Sequence, residues 1–184
     1  LYGAFPLAGS LDHIGPMTRS VEDAARMLSV IAGYDKNDPG SVNASVPNYL
    51  AEVIAENSND YFLANFAGVR IGVDWGYVSH GVEPEVSRVI RDTLDAVSNL
   101  GAEICPVVVP ESYKILTAGW ALTTSVECAK AHSKFYPLQK TEYGPDLAAL
   151  IDLGLRVPAE DYAQLELIRQ SFTAEMEHIL EQVD

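Results

Sequence analysis

Apolar residues recur along the chain at two periods, and the first clear period is that of a helix. It starts after Ser20, whose hydroxyl can cap a helix, and Glu22 and Asp23 favour the positive end of that helix. Gly33 supplies a stop signal. The apolar stripe of this predicted helix consists of Val21, Ala24, Ala25, Leu28 and Ile31.

The middle of the chain predicts a strand, a helix and a second strand. The first strand is indicated by apolar residues at every second position in GVRIGVDW, and the second by the β-branched run in EICPVVVP. Between them, Pro84 marks a helix start and Gly101 its end. A βαβ unit of this kind predicts two parallel strands in a sheet that is buried on both faces.

The last third of the chain is predicted to be helical. Apolar periodicity indicates helices over residues 112–134 and 147–154, and a third from Pro158 or Ala159 to near the end of the chain. Helices combined with a parallel sheet give a layered α/β fold. We expect residues 1–184 to form a single domain of this class.

Composition and charge exclude several classes of partner. The chain has 12 Lys and Arg against 26 Asp and Glu, a net charge of -14, and no basic run reverses that sign locally. A phosphate backbone would be repelled, so nucleic acid is not expected as a direct partner. No apolar run approaches the roughly 20 residues that span a bilayer, so no membrane contact is expected. These features favour a soluble protein, which we place in the cytoplasm.

The stretch GSLDHIGPMTRS places Ser10, Asp12 and His13, the side-chain types of a hydrolase triad, within four residues. Glycine and proline around it predict a turn or extended segment, in which near neighbours seldom converge on one line of hydrogen bonds. We therefore expect no local triad. Ser10 and Asp12 are predicted to bind backbone N–H groups of the turn, and Arg19 to pair with Asp12 or with a helix end.

The remaining chemistry-bearing residues show no standard site pattern. The four histidines have no metal-ligand spacing, and Glu127 and His132 lie five positions apart, which is not the spacing that shares a helix face. Cys105 and Cys128 are predicted to be reduced core thiols. Neither a metal nor a cofactor is predicted.

The stretch PLAGSLDHIGPMTRSVEDAARMLSVIAGYDKNDPGS strongly resembles the segment that follows the nucleophile loop in amidase signature enzymes. GVRIGV, PEVSRVIRDTLDAVSNLGAEI, SVECAKAH, YGPDL and EDYAQLELIRQSF then follow in the family's order, so the resemblance covers essentially the whole chain. It implies part of an α/β/α sandwich around a mixed, largely parallel central sheet. It also implies that a structural motif lies next to the active site. The motif consists of Ser10, Asp12, Gly15, Pro16 and Arg19.

The chemistry that the resemblance implies is hydrolysis of a carboxamide. In this family a neutral lysine deprotonates a serine held by a cis peptide, and that serine activates a second serine, which forms an acyl-enzyme. A desolvated lysine with a lowered pKa can serve as such a base. All three residues precede the segment matched by Leu1 onward, so no catalytic residue is transferred to this chain. We expect the chain to be a fragment of a larger amidase domain, and inactive alone.

Residues 113–124 match a helix that borders the acyl pocket in relatives, which makes Trp120 and Thr124 the candidate substrate-binding residues. The implied substrate is a small-molecule amide. The resemblance is also compatible with a homodimer. An alternative is the glutaminase subunit of a tRNA-dependent amidotransferase, although PDLAALIDLG lacks the arginine-rich character found there in such subunits. An alternative of another class is a non-catalytic interaction domain.

Overall fold

The computed structural model describes residues 1–57 and 66–184, which contain eight α-helices and two strands. The elements are α1 Val21–Ile31, α2 Tyr49–Asn57, β1 Arg70–Val73, α3 Pro84–Asn99, β2 Glu103–Pro106, α4 Tyr113–Ala118, α5 Trp120–Ala131, α6 Tyr136–Gln139, α7 Pro145–Gly154 and α8 Ala159–Leu180. A 3-10 turn at Lys140–Glu142 separates α6 from α7.

The chain divides into two compact units. The first combines Leu1–Tyr61 with Thr123–Arg156, and the second combines Phe62–Leu122 with Val157–Asp184. That residues 1–184 form a single domain stays a prediction.

The first unit has its core where α5, α6 and α7 meet. Cys128, Ala129, Tyr136 and Ile151 are buried there. Helices α5 and α7 approach so closely that a Cβ added at Gly154 would overlap the Ser125 carbonyl oxygen. The predicted cap of α1 is present, because the Ser20 hydroxyl accepts a hydrogen bond from the Asp23 N–H at 3.1 Å.

The second unit contains the predicted βαβ arrangement. Strands β1 and β2 pair in parallel, with Ile71 opposite Ile104, and α3 connects them. Pro84 opens α3, and Gly101 follows its end with a φ of +108°, which favours glycine. The fold class is therefore α/β, as predicted.

The sheet is less buried than predicted. Val73 is the one buried residue of β1, and the two end residues of β2 are exposed. The physical reason is that helices must pack on the faces of a sheet to bury them, and among the described residues α3 is the one helix that packs substantially on a strand. At the edge of β1, the Asp184 N–H donates to the Arg70 carbonyl oxygen at 2.8 Å.

The helix predicted over residues 112–134 is broken, which corrects that prediction. Helix α4 ends at Ala118 and α5 begins at Trp120, with Gly119 between them. A Cβ at Gly119 would lie 2.6 Å from Leu165 Cδ2, so the missing side chain lets α8 approach the chain at the break.

Candidate functional site

The opening segment, residues 6–13, is a turn closed by Asp12. The Asp12 carboxylate accepts hydrogen bonds from the N–H groups of Leu7, at 2.9 Å, and Ala8, at 3.1 Å. The Ala8 carbonyl in turn accepts from the N–H groups of Leu11 and Asp12. Because Ala8 is 1% exposed, the Asp12 carboxylate satisfies a backbone group that water cannot reach.

Ser10 binds a carboxylate that is 117 residues away in sequence. Its backbone N–H and its hydroxyl both donate to the carboxylate of Glu127 on α5, at 2.8 and 2.5 Å. The imidazole Nδ1 of His13 lies 2.7 Å from the Leu11 carbonyl oxygen. Since Asp12 and His13 are each held by backbone groups, Asp12 does not orient His13 for proton transfer.

A second contact holds the same segment a few residues earlier. His132 follows α5 directly and is 1% exposed. Its Nε2 lies 3.0 Å from the Pro6 carbonyl oxygen, and its Nδ1 lies 3.0 Å from the Tyr143 hydroxyl. Because a carbonyl oxygen can only accept, a neutral imidazole donates from Nε2 to Pro6 and accepts the Tyr143 O–H on Nδ1.

Glu127 and His132 therefore fix the opening segment to α5 at two points. Sequence reasoning missed this role, because residues five positions apart on a helix differ by about 140° around its axis. The two side chains do not need to share a face, since they reach the segment at Ser10 and at Pro6. The available signal was that Glu127 is the one acidic residue of α5, a helix whose other residues are uncharged except for Lys130.

The other motif residues lie along the segment that leads into α1. Gly15 and Arg19 are exposed, and Pro16 is half-buried. Arg19 makes no ion pair with Asp12, which corrects that part of the expectation. The reason is that both Asp12 oxygens already face the backbone N–H groups of the turn.

A cleft of about 810 Å³ opens between the opening segment and the loop at residues 37–40. Ser10, Asp12 and His13 lie on its wall. The Asp38 carboxylate on its opposite side accepts from the Gly40 N–H at 2.9 Å. The cleft therefore has a carboxylate on each side, Asp12 and Asp38, and each carboxylate accepts hydrogen bonds from backbone N–H groups.

Trp120 and Thr124, the candidate substrate-binding residues, lie four positions apart on α5 and so share one face of that helix. Trp120 is 59% exposed and Thr124 is half-buried. The cleft beside the opening segment includes neither of them. Their contact with a substrate stays a prediction.

Cys128 is packed in the core of the first unit. Burial raises the pKa of its thiol, and the negative charge of Asp12 raises it further. The thiolate is therefore disfavoured, and Cys128 is a core residue rather than a nucleophile. In residues 1–57 and 66–184, no group of three or more His, Cys, Asp or Glu side chains could hold a metal ion, and no helix has the length and hydropathy to cross a membrane.

Comparison with known proteins decides the family. The sequence model of the family described as Amidase matches residues 1–184. The chain belongs to the amidase family. It is 34% identical over 182 residues to an amidase of Pseudomonas putida, and 32% identical over 164 residues to a glutamyl-tRNA(Gln) amidotransferase subunit of Akkermansia muciniphila.

Solved structures confirm the fold of this amidase-family chain. A bacterial aryl acylamidase of the amidase signature family superposes with a TM-score of 0.69 over 92% of this chain, at 21% identity. That match covers 34% of the acylamidase. The sequence match to the Pseudomonas putida amidase covers 99% of this chain but 37% of that amidase, and the match to the Akkermansia muciniphila protein covers 88% of this chain but 32% of that protein. The chain spans about a third of the length of these relatives.

Proposed function

We propose that this chain is part of an amidase that hydrolyses a carboxamide to a carboxylate and ammonia through a serine acyl-enzyme. The observation that carries the proposal is the family match over residues 1–184. The catalytic lysine and both serines lie outside these residues, before Leu1. The described residues supply scaffold and the surroundings of the site.

Several parts of the proposal concern the whole protein. The substrate is a small-molecule amide, bound without a cofactor, and Trp120 and Thr124 line its acyl pocket. Ser10, Asp12 and the other residues of the opening motif lie next to the catalytic loops. The net charge of -14 supports a protein that does not bind nucleic acid directly. We place the protein in the cytoplasm. A homodimer is compatible with the proposal.

The experiment that tests the proposal is ammonia release by the full-length protein from a panel of aliphatic and aryl carboxamides. Turnover that is abolished when the nucleophilic serine before Leu1 is changed to alanine would support an amidase. No turnover with any carboxamide, from folded protein that contains both serines and the lysine, would contradict it and favour a non-catalytic interaction domain.

A second candidate is the glutaminase subunit of a tRNA-dependent amidotransferase. It is favoured by relatives named as glutamyl-tRNA(Gln) amidotransferase subunits, which are 31–35% identical to this chain. Against it, α7 carries no arginine. Hydrolysis of glutamine that depends on co-purifying subunits would favour this candidate, whereas turnover of simple carboxamides by the protein alone would favour the amidase.

A further inference from the structure

Two buried side chains of the first unit, Glu127 and His132, direct their polar atoms at the opening segment. Glu127 is 8% exposed and receives two hydrogen bonds from Ser10, and His132 donates to the Pro6 carbonyl. A buried carboxylate is costly unless donors surround it, and a buried imidazole likewise needs both nitrogens bonded. The hydrogen bonds to the opening segment supply part of that compensation.

The contacts fix the segment in more than one direction. Ser10 binds Glu127 through a backbone group and a side chain, which sets both the position and the orientation of the peptide at that point. At the other end, the Phe5 ring packs edge-on against the His132 ring with 5.0 Å between centroids. With Nε2 donating to the Pro6 carbonyl, a neutral His132 accepts the Tyr143 O–H on Nδ1, and this contact supports that tautomer.

We propose that Glu127 and His132 are positioning residues of the amidase reaction, which hold residues 5–10 against α5 and thereby fix the catalytic serine loop that leads into Leu1. The inference rests on the proposed function, because the loop is placed before Leu1 only if the protein is an amidase. Neither side chain takes part in bond making. Their effect is on the placement of the nucleophile, where a displacement of about 1 Å can cost roughly a hundredfold in rate.

The test uses the full-length protein with Glu127→Gln, Glu127→Ala and His132→Gln. Active sites are counted by labelling with a fluorophosphonate that reacts with a nucleophilic serine, so that kcat is expressed per intact site. Glu142→Gln, which changes an exposed carboxylate of the same unit, is the matched control. Hydrogen exchange of peptides covering residues 5–13 measures the anchoring independently of activity.

We expect Glu127→Ala to lower kcat per titrated site by about tenfold to a hundredfold with KM changed by less than about twofold. Glu127→Gln keeps one acceptor oxygen and is expected to recover part of the loss. His132→Gln is expected to lower kcat in the same way, and all three variants to raise exchange in residues 5–13. Glu142→Gln is expected to match the wild type in both measurements.

If Glu127→Ala does not fold, Ser10→Ala tests the same contact. It removes only the hydroxyl that donates to Glu127, which is a smaller change. Combined with Glu127→Gln, it is expected to lower kcat by less than the product of the two separate effects, since both changes act on the same contact.

Three results would overturn the proposal. Unchanged exchange in residues 5–13 would show that the contacts do not anchor the segment. Raised exchange with unchanged kcat per site would show that anchoring is structural only. A wild type that turns over no carboxamide would remove the proposed function and the catalytic role with it, and the exchange data would then still decide whether the anchor exists.

Discussion

Asp12 accepts hydrogen bonds from the N–H groups of Leu7 and Ala8, and the Ala8 carbonyl accepts from the two residues that follow Ser10 in the turn. The segment has no regular secondary structure, so its shape depends on such side-chain contacts rather than on a ladder of backbone bonds. Removing the carboxylate leaves a buried N–H group of Ala8 without this acceptor, and that loss has a measurable cost.

We therefore expect Asp12→Ala to lower the free energy of unfolding of the full-length protein by about 1–3 kcal/mol. Asp12→Asn keeps one acceptor oxygen and should cost less. Urea unfolding with linear extrapolation measures both variants. An alanine variant as stable as the wild type would show that the turn does not depend on this side chain.

Asp74 plays a comparable role at the end of β1. Its pKa is lowered, chiefly because its carboxylate accepts from the Tyr77 N–H and then because it accepts from the Val109 N–H. A carboxyl whose pKa is lower in the folded state stabilises that state above its ordinary pKa. The stabilisation is lost as the pH falls below about 4 and through the lowered value.

The full-length protein should accordingly lose thermal stability as the pH falls below about 4, and Asp74→Asn should lose less over that interval than the wild type does. Asp95→Asn, which changes an exposed carboxyl on α3, serves as the control and should follow the wild type. Tm measured by calorimetry across this range checks the difference. Equal slopes for Asp74→Asn and the wild type would contradict the role given to Asp74.

At the scale of elements, the close approach of α5 and α7 depends on Gly154. A methyl group there would overlap the Ser125 backbone carbonyl, and a backbone atom cannot move aside as a flexible side chain can. Gly144, at the start of α7, has open space around its Cα.

Gly154→Ala is expected to destabilise the protein by about 3 kcal/mol or more, because the two helices must separate. Gly144→Ala is the matched control, with an expected loss below about 1 kcal/mol. Chemical unfolding of both variants measures the two losses in the free energy of unfolding. A Gly154→Ala protein as stable as Gly144→Ala would contradict the close packing of α5 against α7.

The elements that the sequence predicts well are those with local signals. Ser20 caps α1, Pro84 opens α3, and the alternation at Ile71 and Val73 marks β1, so each was predictable from neighbouring residues. The break at Gly119 was not, because a single glycine within a helical pattern is often tolerated. Its effect depends on Leu165, which comes from another helix.

The site is less predictable than the fold, because it too depends on contacts between residues that are far apart in the sequence. The turn around Asp12 follows from glycine and proline nearby, so its role can be predicted from the residues alone. The contact between Ser10 and Glu127 joins residues 117 positions apart, and no local pattern indicates it. The proposed activity was predicted from the family resemblance, because composition and periodicity carry no information about the reaction.

At the scale of the whole molecule, the described residues expose many large apolar side chains, among them Met17 at 96% and Leu138 at 87%. Isolated exposed apolar residues are common, but a domain that leaves this many uncovered tends to associate. We expect residues 1–184, produced alone, to aggregate or to melt without a cooperative transition in calorimetry. A monomer that melts cooperatively would instead favour an independent interaction domain.

The central claim is that the parent protein is an amidase that forms its acyl-enzyme on a serine outside residues 1–184. The most direct measurement is peptide mapping by mass spectrometry after the full-length protein is quenched during turnover of a carboxamide. We predict an acyl group on one serine that precedes Leu1 and none on Ser10. An acyl group on Ser10 or on any other residue of this chain, or turnover with no acylated serine, would contradict the account.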